Sequence, residues 1–247
     1  MSERAVTITI DGKEIQAKTG ETIMQAADKV GIYIPRLCYT PSLPPGGHCR
    51  VCTVKVNGKP ANACTFPVGD GQVIENNTPE MTAFRRQIIE LLFTEGNHYC
   101  PACEASGNCE LQAMGYRLGM MAPPLPYLNM PRELDASHKD MFIDRNRCIL
   151  CGRCVRASNV VDGKGVFGFE GRGIKKRIAV DGDALAETGM AATDAAATIC
   201  PTGCLVIKRK GWAIPVGQRK YDLAPIGSDI EHTQGVATPC PQTERVE

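Results

Sequence analysis

Residues 5–10, AVTITI, alternate in the period of two that lays one face of a strand on a core. Asp11-Gly12 follows, a dipeptide suited to the positive-φ positions of a two-residue turn, and EIQA returns, which predicts a hairpin. Over 21–30, ETIMQAADKV, the apolar spacing changes to that of a helix through Ile23, Ala26, Ala27 and Val30, closed by Gly31. CTVKV running into Asn57-Gly58 predicts another strand and turn, and Val73-Ile74 a last short strand. Strand, strand, helix and further strands within 1–78 predict a small α+β domain.

A second unit is expected over 79–120. Thr78 as N-cap and Pro79 at the first helical position open a helix whose stripe Met81, Phe84, Ile88 and Leu91 is expected to pack on a core. CELQAMGYRL, beginning at Cys109, reads as another helix. MAPPLPYLNMPR lies in a proline-rich connector, 121–139, before a third unit over 140–210. From 211 to 247, prolines and polar residues without periodicity predict an extended tail laid on a partner.

The 247 residues are 43% hydrophobic but only 5% aromatic, so small cores in need of other support are expected. Thirteen cysteines offer that support. MSERAVTITI has no apolar leader core, and no stretch approaches the roughly 20 apolar residues of a membrane span. A soluble protein of the reducing cytoplasm is expected, where soft-metal ligation explains the thiols better than disulfides. With 28 basic against 27 acidic residues there is no electrostatic footprint for nucleic acid or an anionic membrane. Lys175-Lys176-Arg177 and Lys208-Arg209-Lys210 read as solvated faces or partner contacts.

The thiols fall into three sets. Cys38-x10-Cys49-x2-Cys52-x11-Cys64 gathers three of four in one loop rich in Gly and Pro, a pattern for an iron-sulfur cluster, with Gly46 and Gly47 allowing backbone amides near the sulfurs. A four-cysteine zinc site is the alternative reading. Cys100-x2-Cys103-x5-Cys109 supplies only three thiolates, and His98 is the nearest candidate for the fourth ligand. Cys148-x2-Cys151-x2-Cys154 carries Ser158 where a two-cluster ferredoxin has its next cysteine, and no cysteine stands between 155 and 199. A single [4Fe-4S] cluster completed by Cys200, held before Pro201 by the short helix DAAATIC, is therefore expected. Cys204 and Cys240 have no set to join. Gly163-x-Gly165-x-x-Gly168 matches a dinucleotide fingerprint by letter, but FEGRGIKKRIAV after it reads as a β-hairpin, not a helix.

The first two runs, ending in CELQ, resemble the N-terminal iron-sulfur region shared by the complex I large subunit, iron-only hydrogenases and the diaphorase iron-sulfur (gamma) subunit of NAD-reducing nickel-iron hydrogenases. The family's histidine usually stands four residues before its first cysteine. Here position 96 is Gly, and His98 stands two before Cys100. The resemblance, over roughly 1–210, implies a β-grasp ferredoxin-like domain with a [2Fe-2S] cluster and a small helical module with a [4Fe-4S] cluster on one histidine and three cysteines. It also implies a module like bacterial ferredoxins, with a second [4Fe-4S] cluster. A single-cluster third module that stops shortly afterwards resembles the hydrogenase diaphorase subunit. Its partners would then be an FMN- and NAD-binding diaphorase subunit and hydrogenase small and large subunits. With no paired catalytic carboxylates, nucleophile constellation, or NAD or FMN motif in the chain, electron relay without catalysis of its own is expected. The counterpart in an NAD-dependent formate dehydrogenase or a complex I relative is the nearest alternative, and a zinc scaffold the distant one.

Overall fold

Residues 4–128 and 130–231 are described by the computed structural model. β1 (Ala5–Ile10) buries Val6, Ile8 and Ile10 on one face, and β2 (Lys13–Lys18) adds Ile15 and Ala17. Asp11 and Gly12 join them at φ 49° and 81°, the left-handed pair that the turn demands. α1 (Ile23–Lys29) starts at Thr22, whose hydroxyl accepts from the Gln25 amide while the Gln25 side chain accepts from the Thr22 amide. β3 (Thr53–Val56), β4 (Lys59–Asn62) and β5 (Val73–Glu75) complete a five-stranded sheet of order β2-β1-β5-β3-β4. Only the β1–β5 pair is parallel. Ile23, Met24 and Ala27 lay α1 on this sheet, and Cys52 and Cys64 belong to the same apolar cluster.

α2 (Pro79–Glu95) begins as expected, with the Thr78 hydroxyl accepting from the Met81 amide at 3.2 Å. Thr78→Ala is expected to cost about 1 kcal/mol, read as a lower urea midpoint with unchanged slope. The buried face differs from the predicted stripe. Met81, Arg85, Ile89 and Phe93 face inward, while Phe84 and Leu91 are exposed. The i+4 ridge wins because the Arg85 guanidinium donates to the backbone carbonyls of Thr53 and Asn76, tying the helix to the sheet. α3 (Glu110–Arg117) packs on α2 through Leu111 and Met114.

β6 (Leu134–Asp135) and β7 (Met141–Asp144) precede α4 (Arg153–Val160), and the antiparallel pair β8 (Phe167–Glu170) and β9 (Arg177–Val180) follows it. The hairpin reading of this glycine-rich stretch agrees, for Gly168 lies inside β8 and no α-helix comes before the partner strand β9. Ser158 has a local structural task. Its buried hydroxyl accepts from the Val166 amide at 2.7 Å, and its carbonyl accepts from the amides of Lys164 and Gly165. α5 (Ala195–Thr198) leads through Cys200 to β10 (Leu205–Ile207), which joins β7 and β6 in a three-stranded antiparallel sheet.

Over 211–231 the chain departs from the extended tail expected, and 232–247 lie outside the described residues. α6 (Lys220–Leu223) and α7 (Ser228–Glu231) fold back on the chain's own middle segment. The Tyr221 amide donates to Gly107, Arg117 donates to the Ile226 carbonyl at 2.7 Å, and Arg117 pairs with Glu231. Ile226 is buried and Tyr221 and Ile230 pack beside it, so apolar burial, invisible as periodicity in such short elements, orders the segment. Cys240 lies outside the described residues. Among the described residues, no helix is long and apolar enough to cross a membrane.

Candidate metal centres

Cys38, Cys49, Cys52 and Cys64 are all buried where the long loop returns to the sheet. The Cys38 amide donates to the Cys49 sulfur at 3.4 Å. Hydrogen bonds from the Cys49 and Cys64 thiols hold the Cys38 thiol well below its ordinary pKa. Gly46 leaves room for the His48 ring, which a Cβ there would meet at 2.5 Å, and His48 packs on Phe169 with centroids 5.8 Å apart.

The second set surrounds a cavity lined by His98, Cys100, Cys103, Cys109, Arg147 and Gly203, among others. Cys100 opens a single 3₁₀ turn, and Cys109 caps α3, its sulfur accepting from the Gln112 amide at 3.5 Å. His98 packs on Phe93 and makes a backbone hydrogen bond at Leu92, but its Nε2 is buried with no hydrogen-bond partner. Burial, aided by Arg147, lowers its pKa to about 4, so the ring is neutral and keeps a lone pair. His98, with this orphaned nitrogen, lines the same cavity as the three thiols, a donor set that fits a metal cluster. Gly96 is what admits this ring, since a Cβ there would lie 2.5 Å from Nε2.

The third cavity is lined by Cys148, Cys151, Cys154 and Cys200 among mostly apolar side chains, with Thr202 beside them. Cys204, a leftover in the sequence reading, also lines it. β10 begins directly after Cys204, whose carbonyl accepts from the Asp144 amide at 2.7 Å, and this turns its thiol onto the Cys148 and Cys200 sulfurs. The hydrogen bond from Cys204 draws Cys200 down to about 6, while burial pushes Cys151 up. Spacing alone could not find Cys204 because its neighbours come together only when β10 pairs with β7. Among the described residues, no three His, Cys, Asp or Glu side chains converge tightly enough for one ion; the sulfurs line cavities instead.

The sites are close neighbours in the chain's packing. The Pro201 carbonyl accepts from the Glu110 amide at 2.8 Å, and a Cβ on Gly203 would lie 2.7 Å from the Cys103 sulfur. The segment after Cys200 therefore forms part of the wall of the second cavity. Buried Arg153 forks onto Glu110 at 2.7 and 2.6 Å and donates to the Tyr39 carbonyl at 3.0 Å. One side chain thus joins all three units.

Three family models match this arrangement: a 2Fe-2S iron-sulfur cluster binding domain over 3–79, an NADH-ubiquinone oxidoreductase-G iron-sulfur binding region over 85–124, and a 4Fe-4S single cluster domain over 141–207. The NAD-reducing hydrogenase HoxS subunit gamma of Cupriavidus necator is 41% identical over 223 residues, 90% of this chain and 95% of that subunit. The chain belongs to this hydrogenase gamma-subunit family. A second member of the likeness is a chain of the solved NAD+-reducing [NiFe]-hydrogenase in the H2-reduced state, with TM-score 0.86, 43% identity, and 89% of this chain and 94% of that one covered. The gamma-subunit sequence also extends into larger proteins. The NADPH-Fe(3+) oxidoreductase subunit alpha of Geobacter sulfurreducens is 33% identical over 235 residues, 92% of this chain and only 28% of that subunit.

Proposed function

We propose that this chain is the electron-relay subunit of a cytoplasmic NAD-reducing hydrogenase, itself without a catalytic residue. It connects hydrogenase small and large subunits to an FMN- and NAD-binding diaphorase subunit. The observation that carries this reading is the match along nearly the whole length of the HoxS gamma subunit. A β-grasp domain over 1–78 holds a [2Fe-2S] cluster on Cys38, Cys49, Cys52 and Cys64. A helical module over 79–120 holds a [4Fe-4S] cluster on His98, Cys100, Cys103 and Cys109. A ferredoxin-like module over 140–210 holds another on Cys148, Cys151, Cys154 and Cys200.

When bound, such clusters accept and release single electrons, so two passages serve each H2 oxidised and each NAD+ reduced to NADH. The residues set the conditions. Neutral His98 contributes no negative charge to the second site, which favours the reduced state there, while the charge of Arg147 in the same cavity is balanced by Glu104 and Asp144. Replacing His98 by Cys is expected to keep that centre loaded but lower its reduction potential, read by redox titration of its electron paramagnetic resonance (EPR) signal. An unchanged set of signals would remove His98 from the ligand set.

The decisive experiment purifies the chain with its partners and measures iron, acid-labile sulfide and hydrogen-dependent NAD+ reduction. About ten irons with matching sulfide per chain are expected. Zinc without sulfide would end the relay reading, and a formate-oxidising partner would move the chain to another complex.

A further inference from the structure

Arg156, on α4, reaches out of the third unit into the loop of the first. Its Nη2 donates to the carbonyl of Cys38 at 2.5 Å and to that of Cys151 at 3.4 Å. Nε donates to the Gly152 carbonyl at 3.2 Å, and Nη1 to the Pro44 carbonyl. Four carbonyls, two from each loop, thus converge on one planar fork, a geometry that a lysine's single ammonium cannot reproduce. Among the described residues, no carboxylate pairs with Arg156, unlike Arg147 and Arg153, which hold Glu104 and Glu110. Its charge is therefore left uncompensated between the first and third candidate sites. The contact is made where two loops turn sharply, at Gly47 and Gly152, both in the left-handed region. A Cβ on Gly152 would lie 3.3 Å from His48 Nε2 of the first loop as well as 3.1 Å from the Phe169 ring, so the close approach of the loops leaves no room for a side chain there.

We infer that Arg156 is the junction residue between the first and third centres. It fixes the separation of their ligand loops, provides a hydrogen-bonded route from Cys38 to Cys151, and raises the reduction potential of both centres by its unpaired charge. This rests on the ligand assignment above. The step it serves is a one-electron exchange in which one centre is oxidised as the other is reduced, with no bond broken and no proton required. Arg156 is a positioning residue, since it touches the backbone of the ligand-bearing residues and not the transferred electron's donor or acceptor atoms.

The test uses the full chain with its clusters in place, wild type against Arg156→Gln and Arg156→Lys, with iron and sulfide content, EPR-monitored potentials and the magnetic interaction between reduced centres. Arg156→Gln is expected to lower the potentials of the first and third centres by about tenfold in the one-electron reduction constant, 59 mV, and to leave the His98 centre unmoved. Arg156→Lys is expected to restore the potentials, because the charge remains, but to weaken the magnetic interaction, because the fork is lost. Should Arg156→Gln lose iron, Arg156→Lys alone decides between the outcomes. Unmoved potentials and an unmoved interaction at full iron content overturn the junction, as does an equal shift of all three centres. A wild-type chain without iron and sulfide overturns the ligand assignment instead, so the two failures are distinguishable.

Discussion

Cys151→Ala is expected to leave the chain with about six irons in place of about ten and to stop hydrogen-dependent NAD+ reduction by the assembled complex. Cys151 shares its cavity with Ile143, Ile149, Ile178 and Leu205, and the one side-chain hydroxyl there, on Thr202, is engaged with the Arg147 carbonyl and the Cys200 sulfur rather than free to stand in for the lost thiolate. The fifth thiol of that cavity, Cys204, hydrogen-bonds Cys148 and Cys200 instead. The neighbouring substitution should therefore behave differently. Cys200→Ala is expected to retain most of its iron with Cys204 completing the set, and Cys200→Ala combined with Cys204→Ala to lose it. Colorimetric iron and the EPR signals of the remaining centres check both statements. Full iron in Cys151→Ala would mean that the third set is assigned wrongly.

The largest effect on stability is expected from Arg153→Met. The side chains of Arg153 and Glu110 are 6% and 22% exposed, and the guanidinium also satisfies the Tyr39 carbonyl. Methionine keeps most of the volume but leaves a largely buried carboxylate and a carbonyl without partners. Breaking a buried pair on one side costs about 3 kcal/mol. Urea unfolding followed by circular dichroism, with cluster absorbance recorded in parallel, is the measurement. Because Arg153 joins all three units, cluster bleaching and loss of helix are expected to coincide. Early bleaching of one site alone would show that the units come apart separately. Arg153→Met with Glu110→Gln should recover part of the loss, since the uncompensated charge is then gone.

Much of the local structure was legible in residue order because its causes are local. The Asp11-Gly12 and Asn57-Gly58 turns need residues that tolerate positive φ, and both positions show it. The Thr78 cap and the hairpin after Gly163 follow from the same short-range rules. The three thiol sets were legible for a related reason: most of their members lie within a few residues of one another, so spacing alone brings them together. The residue order puts Ser158 where a further cysteine would extend the third run, and the structure gives that serine a local task, a hydroxyl that accepts from the Val166 amide.

What residue order left open depends on contacts between distant segments. The inward face of α2 was decided by Arg85 finding the carbonyls of Thr53 and Asn76, not by its apolar stripe. The folding back of residues 220–231 was decided by Ile226 and the Arg117–Glu231 pair, in elements too short to show a period. Cys204 came to the third cavity only through the pairing of β10 with β7. Arg156 came to Cys38 across 118 positions of sequence. The sequence by itself determined that Cys49 with Cys52, His98 with Cys100, Cys103 and Cys109, and Cys148 with Cys151 and Cys154 lie near one another, because covalent spacing limits how far such neighbours can separate. Only the tertiary structure decided how the three sets face one another, because buried charges and backbone carbonyls find their partners through space.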